Sequence, residues 1–172
     1  MKNILLNTLI LLALSSCQKK MDFSNIENLH KQPLSVIQEC VHGKWRVLIV
    51  SRWGYIGSFA PINTIVNIDI ENNNVVIKEN DGEHIKIMHG CLSEASLFNW
   101  KKKEVYSPGI GTRPPCYATY VMQFNIQSEN PAFENIGWYF DSIKNDTLSV
   151  VVDYTPANFW YYENYLFLRV NW

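Results

Sequence analysis

Hydrophobic and polar residues alternate along most of the chain with the period of two that a β-strand imposes, because successive side chains leave opposite faces. Val66, Ile68 and Ile70 alternate with Asn67 and Asp69, Asn72-Asn73-Asn74 marks a turn, and Val75 to Glu79 resumes an extended run. Asp81-Gly82 is a hairpin signal, since a two-residue turn with positive φ suits Asp and Gly. Beyond it Ile85, Ile87 and His89 share one face, and His84, Lys86 and Met88 the other. Phe98 and Trp100 share a face; Ser107 to Pro115, with three prolines and two glycines, reads as a loop. Tyr120, Met122, Phe124 and Ile126 then alternate with Thr119, Val121, Gln123 and Asn125 over a full strand. The turn residues of Ser128 to Pro131 precede Trp138 and Phe140, and Lys144-Asn145-Asp146 leads into Leu148, Val150, Val152 and Tyr154. A last strand runs from Tyr165 to Val170.

These runs predict an all-β domain of eight or nine strands joined mostly by short loops. Sequential antiparallel strands form a meander, and a meander of this length removes its exposed edges by closing into an up-and-down barrel. A β-sandwich is the alternative, and it needs Greek-key crossovers for which short loops leave little room. The helical period occurs once, where Leu34, Ile37 and Val41 fall three and four residues apart and predict a short amphipathic helix around Leu34 to Cys40.

The first sixteen residues follow a different pattern. A basic start at Lys2, an apolar run from Ile4 to Leu14 interrupted at Asn7 and Thr8, and the small residues Ser15 and Ser16 are the parts of an export signal. The run is shorter than the ~20 apolar residues that span a bilayer. Leu14-Ser15-Ser16-Cys17 resembles the lipobox of bacterial lipoproteins, which implies cleavage before Cys17 and acyl chains on that residue. An ordinary secretory signal with a chance cysteine is the plainer alternative. Residues 17–33 are polar without strand alternation and read as the lipidated cysteine and a flexible tether, which leaves 34–172 as one domain large enough for a hydrophobic core. The expected location is the cell envelope, with the membrane as a partner through the acyl chains.

Lys and Arg number 15 against 16 Asp and Glu, and loss of the signal removes Lys2 as well, so no basic excess exists to attract nucleic acid. Lys101-Lys102-Lys103 is a charge run of the kind that usually lies on a solvated face. With Cys17 lipidated, Cys40, Cys91 and Cys116 remain, so one intrachain disulfide is possible and one thiol is left over. Strand counting along a meander puts Cys40 and Cys91 at one barrel end and Cys116 at the other, which makes Cys40–Cys91 the expected pair. No CxxC or Cys/His group has metal-ligand spacing, and no metal or cofactor is expected.

The opening Gly43-Lys44-Trp45, followed by Val47 to Val50, resembles the Gly-x-Trp start of the lipocalins. The end of the chain, Asp146-Thr147-Leu148 and Tyr165-Leu166-Phe167-Leu168-Arg169, is similar to the closing strands of short lipocalin-like lipoproteins of Bacteroidetes-type bacteria. The resemblance implies a calyx-like barrel whose floor is closed by Trp45, with Arg169 stacked across the indole. The middle lipocalin motif is met only by Val152-Asp153-Tyr154, whose first residue differs.

The chain has no Gly-x-Ser-x-Gly elbow, no phosphate-binding glycine loop and no His-Glu-x-x-His. His84 and His89, five apart in one strand, point to opposite faces, and each of the four histidines fits a surface or turn position better than a ligand's. Asp141 and Asp153 are the strand acids that could do acid–base work, and both fall opposite the apolar faces. The expectation is a non-enzymatic protein. Six Trp, nine Tyr and eight Phe, with a cluster at Phe159-Trp160-Tyr161-Tyr162, suit either core packing or an apolar ligand. The candidate lining is Ile85, Ile87, Trp100, Tyr120, Met122, Phe124, Trp138 and Phe140, for a small apolar or amphipathic ligand. The alternative is a filled barrel acting as an interaction module of the envelope.

Overall fold

The structure is a computed structural model that describes residues 23–52, 64–78, 92, 95–106, 116–126, 136–153 and 163–170. It is all-β apart from two helical turns. In chain order come β1 (Asn25–Ile26), a 3-10 turn (Leu29–Lys31), α1 (Leu34–Val41), β2 (Gly43–Arg52), β3 (Ile65–Asp69), β4 (Asn74–Lys78), β5 (Ala95–Tyr106), β6 (Cys116–Phe124), β7 (Gly137–Lys144), β8 (Thr147–Asp153) and β9 (Glu163–Arg169). Strands β2 to β9 pair antiparallel with their sequence neighbours, and β9 returns to pair with β2, so eight strands close into a barrel. Closure, not a sandwich, disposes of the edges.

The tight turns follow local chemistry. Between β7 and β8, Asn145 and Asp146 both have positive φ, 50° and 56°, the conformation of a two-residue hairpin turn. Between β3 and β4 the Asp69 carboxylate accepts hydrogen bonds from the Glu71 and Asn72 backbone N–H groups and from the Asn72 side chain. Those bonds, the side-chain one first, hold its pKa below the usual carboxylate value.

Antiparallel order sorts the ends of the barrel. The start of β2, the β3–β4 and β7–β8 turns and the end of β9 lie at one end, where α1 packs with Ile37, Cys40 and Val41 buried. Of the connections at the other end, the described residues are Thr64, Leu92, Asn125, Ile126 and Ile136, of which Thr64, Leu92 and Ile136 are buried. The predicted strands around Asp81-Gly82 and the 159–162 aromatic cluster lie outside the described residues.

The expected tether is corrected in its second half. β1 pairs with the end of β7, Asn25 opposite Lys144 and Ile26 opposite Ile143, and Leu29 is fully buried. The reason is a split in the wall. β6 pairs with β7 only at Met122–Trp138 and Gln123–Gly137, so most of that edge of β7 would have unpaired backbone groups. β1 takes up the far end of the edge, and the 3-10 turn packs beside its middle. The polar sequence hid this because so short a strand has no alternation to read.

Candidate functional site

Four of the candidate lining residues, Met122, Phe124, Trp138 and Phe140, are buried in the main core, and Trp100 and Tyr120 are partly buried against it. Ile85 and Ile87 lie outside the described residues. Cross-strand register places Trp100, Met122, Trp138 and Val152 in one row over β5, β6, β7 and β8. Trp138 lies edge-on to Phe124 at 4.9 Å and to Phe167 at 5.6 Å, and it touches Tyr165 at 6.2 Å. Trp100 meets Phe98 at 5.9 Å and Phe140 at 6.1 Å. Sequence reading left out Phe98, Tyr165 and Phe167 as lining, although their alternation with polar or smaller neighbours carried the same signal. It also left out Glu163, a buried carboxyl residue in alternation with Tyr165 and Phe167.

Within this apolar wall the indole N–H groups of Trp100 and Trp138 are both buried and have no hydrogen-bond partner. The Thr64 hydroxyl, in line with the buried Val66 and Ile68, is likewise unpartnered. A buried donor left unmade costs about 1–3 kcal/mol. Natural cores leave few such groups, so each calls for an explanation.

The closed end is held by Trp45 and Arg169. The two residues are direct neighbours across the β2–β9 ladder. Gly43, with φ of 118°, turns the chain from α1 into β2 in a conformation that favours glycine. The Trp45 indole N–H donates to the Val41 carbonyl at 2.8 Å. The Arg169 guanidinium carbon stands 4.4 Å from the Trp45 ring centroid, and its Nη2 donates to the Cys40 carbonyl at 2.7 Å. Helix, first strand and last strand are thereby joined at one point.

Cys40 corrects the expected disulfide. Its thiol is free and fully buried, and Cys91 lies outside the described residues. Strand counting placed Cys40 at the correct end but could not see that α1 turns it into the core. Burial pushes the thiol pKa up to about 11, with Arg169 opposing. Cys40 should therefore resist iodoacetamide at pH 8 and react only as denaturant unfolds the barrel; mass spectrometry of labelled peptides checks this, and rapid native labelling would contradict the burial.

The two acids singled out by sequence lie on the outer side. Asp141 is the extra residue of a β-bulge in β7, where Phe140 and Ser142 face consecutive residues of β8. The bulge reverses the alternation, so that after Trp138 and Phe140 the next residue in the main core is Ile143. Asp141 Oδ1 lies 3.1 Å from His30 Nδ1. The His30 ring stacks on Tyr117 at 4.3 Å, and its carbonyl accepts from the Thr119 hydroxyl at 2.7 Å. His30, expected in the tether, is instead a buried docking residue. Tyr117, Tyr139, Val105, Val121 and Val151 form a second small core there, and burial, then the Tyr117 hydrogen bond, raises the Tyr139 pKa. Asp153 pairs with Lys103, which takes one member of the lysine run out of the solvated class.

Among the described residues no group of three His, Cys, Asp or Glu side chains is placed to hold a metal ion, and no helix is long and apolar enough to cross a membrane. The chain matches no family model, no curated protein and no solved structure.

Proposed function

We propose that this protein is a lipid-anchored, lipocalin-like lipoprotein of the cell envelope that holds a small apolar or amphipathic molecule inside its barrel without transforming it. The observation that carries the reading is the closed eight-stranded barrel whose first and last strands meet at Trp45 and Arg169, as the lipocalin resemblance implies. The sealed end at Trp45 and Arg169 gives the interior a floor.

The rival reading, a filled barrel acting as an interaction module, has its own support in the contacts of Trp138 with Tyr165 and Phe167 of β9, two strands away. Mass spectrometry of protein purified from its native host separates the two. A near-stoichiometric apolar molecule is expected to accompany the chain; protein consistently free of one, from membranes that contain it, supports the filled barrel.

Anchoring rests on the lipobox-like Leu14-Ser15-Ser16-Cys17. Only seven peptide steps separate Cys17 from Ser24, whose carbonyl accepts from Asp146 N–H at the closed end. At full extension those steps reach about 25 Å, so acyl chains on Cys17 would keep the closed end toward the membrane. Cys17→Ser should move the protein from the membrane to the soluble fraction. A variant that still sediments with membranes as the natural protein does would refute the anchor.

A further inference from the structure

We propose that residues 23–32 form a releasable strap over a slot in the barrel wall between β6 and β7, and that its release lets an apolar molecule pass directly between the membrane and the interior. The inference rests on the binding and anchoring readings and adds to them the route of entry.

Strand pairing sets the slot. β6 and β7 share only the pairs Met122–Trp138 and Gln123–Gly137, and toward the closed end the wall is completed by the chain that precedes α1. His30 touches both margins. Its ring stacks on Tyr117 of β6, its carbonyl accepts from the Thr119 hydroxyl of β6, and its Nδ1 lies 3.1 Å from Asp141 Oδ1 of β7. One residue earlier, Leu29 is fully buried in the main core, and Phe23 and Ile26 pack against that core. Taking the strap away therefore uncovers core side chains from the side of the barrel.

The strap is held by less than the strands it touches. β1 has two residue pairs, both with β7, and stands at the edge of the sheet. The 3-10 turn bonds within itself, Lys31 N–H to the Asn28 carbonyl and Gln32 N–H to the Leu29 carbonyl, and Asn28 enters it in the left-handed region with φ of 55°. β8, by contrast, is laddered on both sides, to β7 and to β9. Segments with few backbone bonds to their surroundings open locally while the rest of the fold stays closed.

The anchor decides which way the slot faces. The strap continues directly from acylated Cys17, and Ser24 and Asn25 are bonded to the β7–β8 turn at the closed end. The slot thus lies on the membrane side, and the open end points away. A molecule bound for the open end carries its apolar surface through water, whereas one that enters beside the strap does not.

The test locks the strap. Asn25 and Lys144 are exposed cross-strand partners, so Asn25→Cys with Lys144→Cys can be bridged, and peptide mapping verifies the bridge. The acylated full chain is mixed with phosphatidylcholine vesicles carrying 1-bromododecane, a neutral apolar probe whose bromine quenches a tryptophan only at contact range. The bridge is expected to slow quenching roughly tenfold, with the final level unchanged and the rate restored by dithiothreitol. In the natural protein, hydrogen exchange read by mass spectrometry should be roughly a hundredfold faster over residues 24–32 than over 147–153, a readout that needs no variant. Equal exchange in the two segments, or quenching at one rate with the bridge closed and open, would overturn the strap and leave a binder standing. Absence of quenching in the natural protein would overturn the binding reading itself.

Discussion

Trp45→Ala is expected to destabilise the barrel by about 3–5 kcal/mol, the range for deleting a buried aromatic side chain. Three losses coincide there. The indole is fully buried, so its removal leaves a cavity between α1 and the first strand. The Val41 carbonyl loses its 2.8 Å donor at the end of the helix. The Arg169 guanidinium loses the aromatic face 4.4 Å away and keeps the Cys40 carbonyl and, at 3.8 Å, a weak Asp146 contact. A partly buried cation over an indole contributes about 0.5–2 kcal/mol. Trp45→Phe separates the terms, because it keeps a ring beneath Arg169 and removes the N–H donor; its cost should be about 1–2 kcal/mol. Urea unfolding of natural protein and both variants checks the order. An alanine variant within about 0.5 kcal/mol of the natural protein, the size of an ordinary surface change, would mean that this corner does not hold the floor.

Gly137→Ala is the second large effect, and it arises from close backbone approach at a residue whose φ is ordinary. A Cβ at residue 137 would lie 2.5 Å from Val121 Cγ1, 2.7 Å from the Met122 carbonyl oxygen and 3.2 Å from Gln123 Cα. The side chain could turn aside, but the backbone of β6 cannot without loosening the ladder. Gln123–Gly137 and Met122–Trp138 are the register by which β6 holds β7, so the strain falls where the wall has least pairing. Overpacking of this kind costs about 1–3 kcal/mol, and weak pairing argues for the upper part of the range. Gly137→Ala combined with Val121→Ala removes the side-chain clash and leaves the backbone one. The double variant should therefore remain less stable than Val121→Ala alone in thermal unfolding. If the glycine change adds nothing in that background, the backbone contact is not the constraint.

Much of the fold was legible because it depends on local pattern. Period-two alternation marked the strands of the barrel among the described residues, and the turn residues at 72–74 and 144–146 marked their ends, because burial on one face and positive φ in a turn are demands that each short segment meets alone. The spacing of Leu34, Ile37 and Val41 marked α1 for the same reason. Placing Trp45 beside Arg169 needed only the further rule that the first and last strands of a closed meander pair.

What the pattern could not carry depends on residues far apart in sequence. Whether Asn25 and Ile26 form a strand is decided by the open edge of β7, more than a hundred positions away, which exists because β6 departs from it after two pairs. The bulge at Asp141 resets the faces of β7, so a strict alternation drawn through it assigns the later residues to the wrong side. Cys40 stays a free thiol because α1 turns it into the core, a matter of helix rotation against the barrel rather than of strand count. The unpartnered Trp100 and Trp138 donors were beyond the sequence altogether: a tryptophan announces that it will be buried, but only the packed interior decides whether an acceptor comes within reach of its N–H.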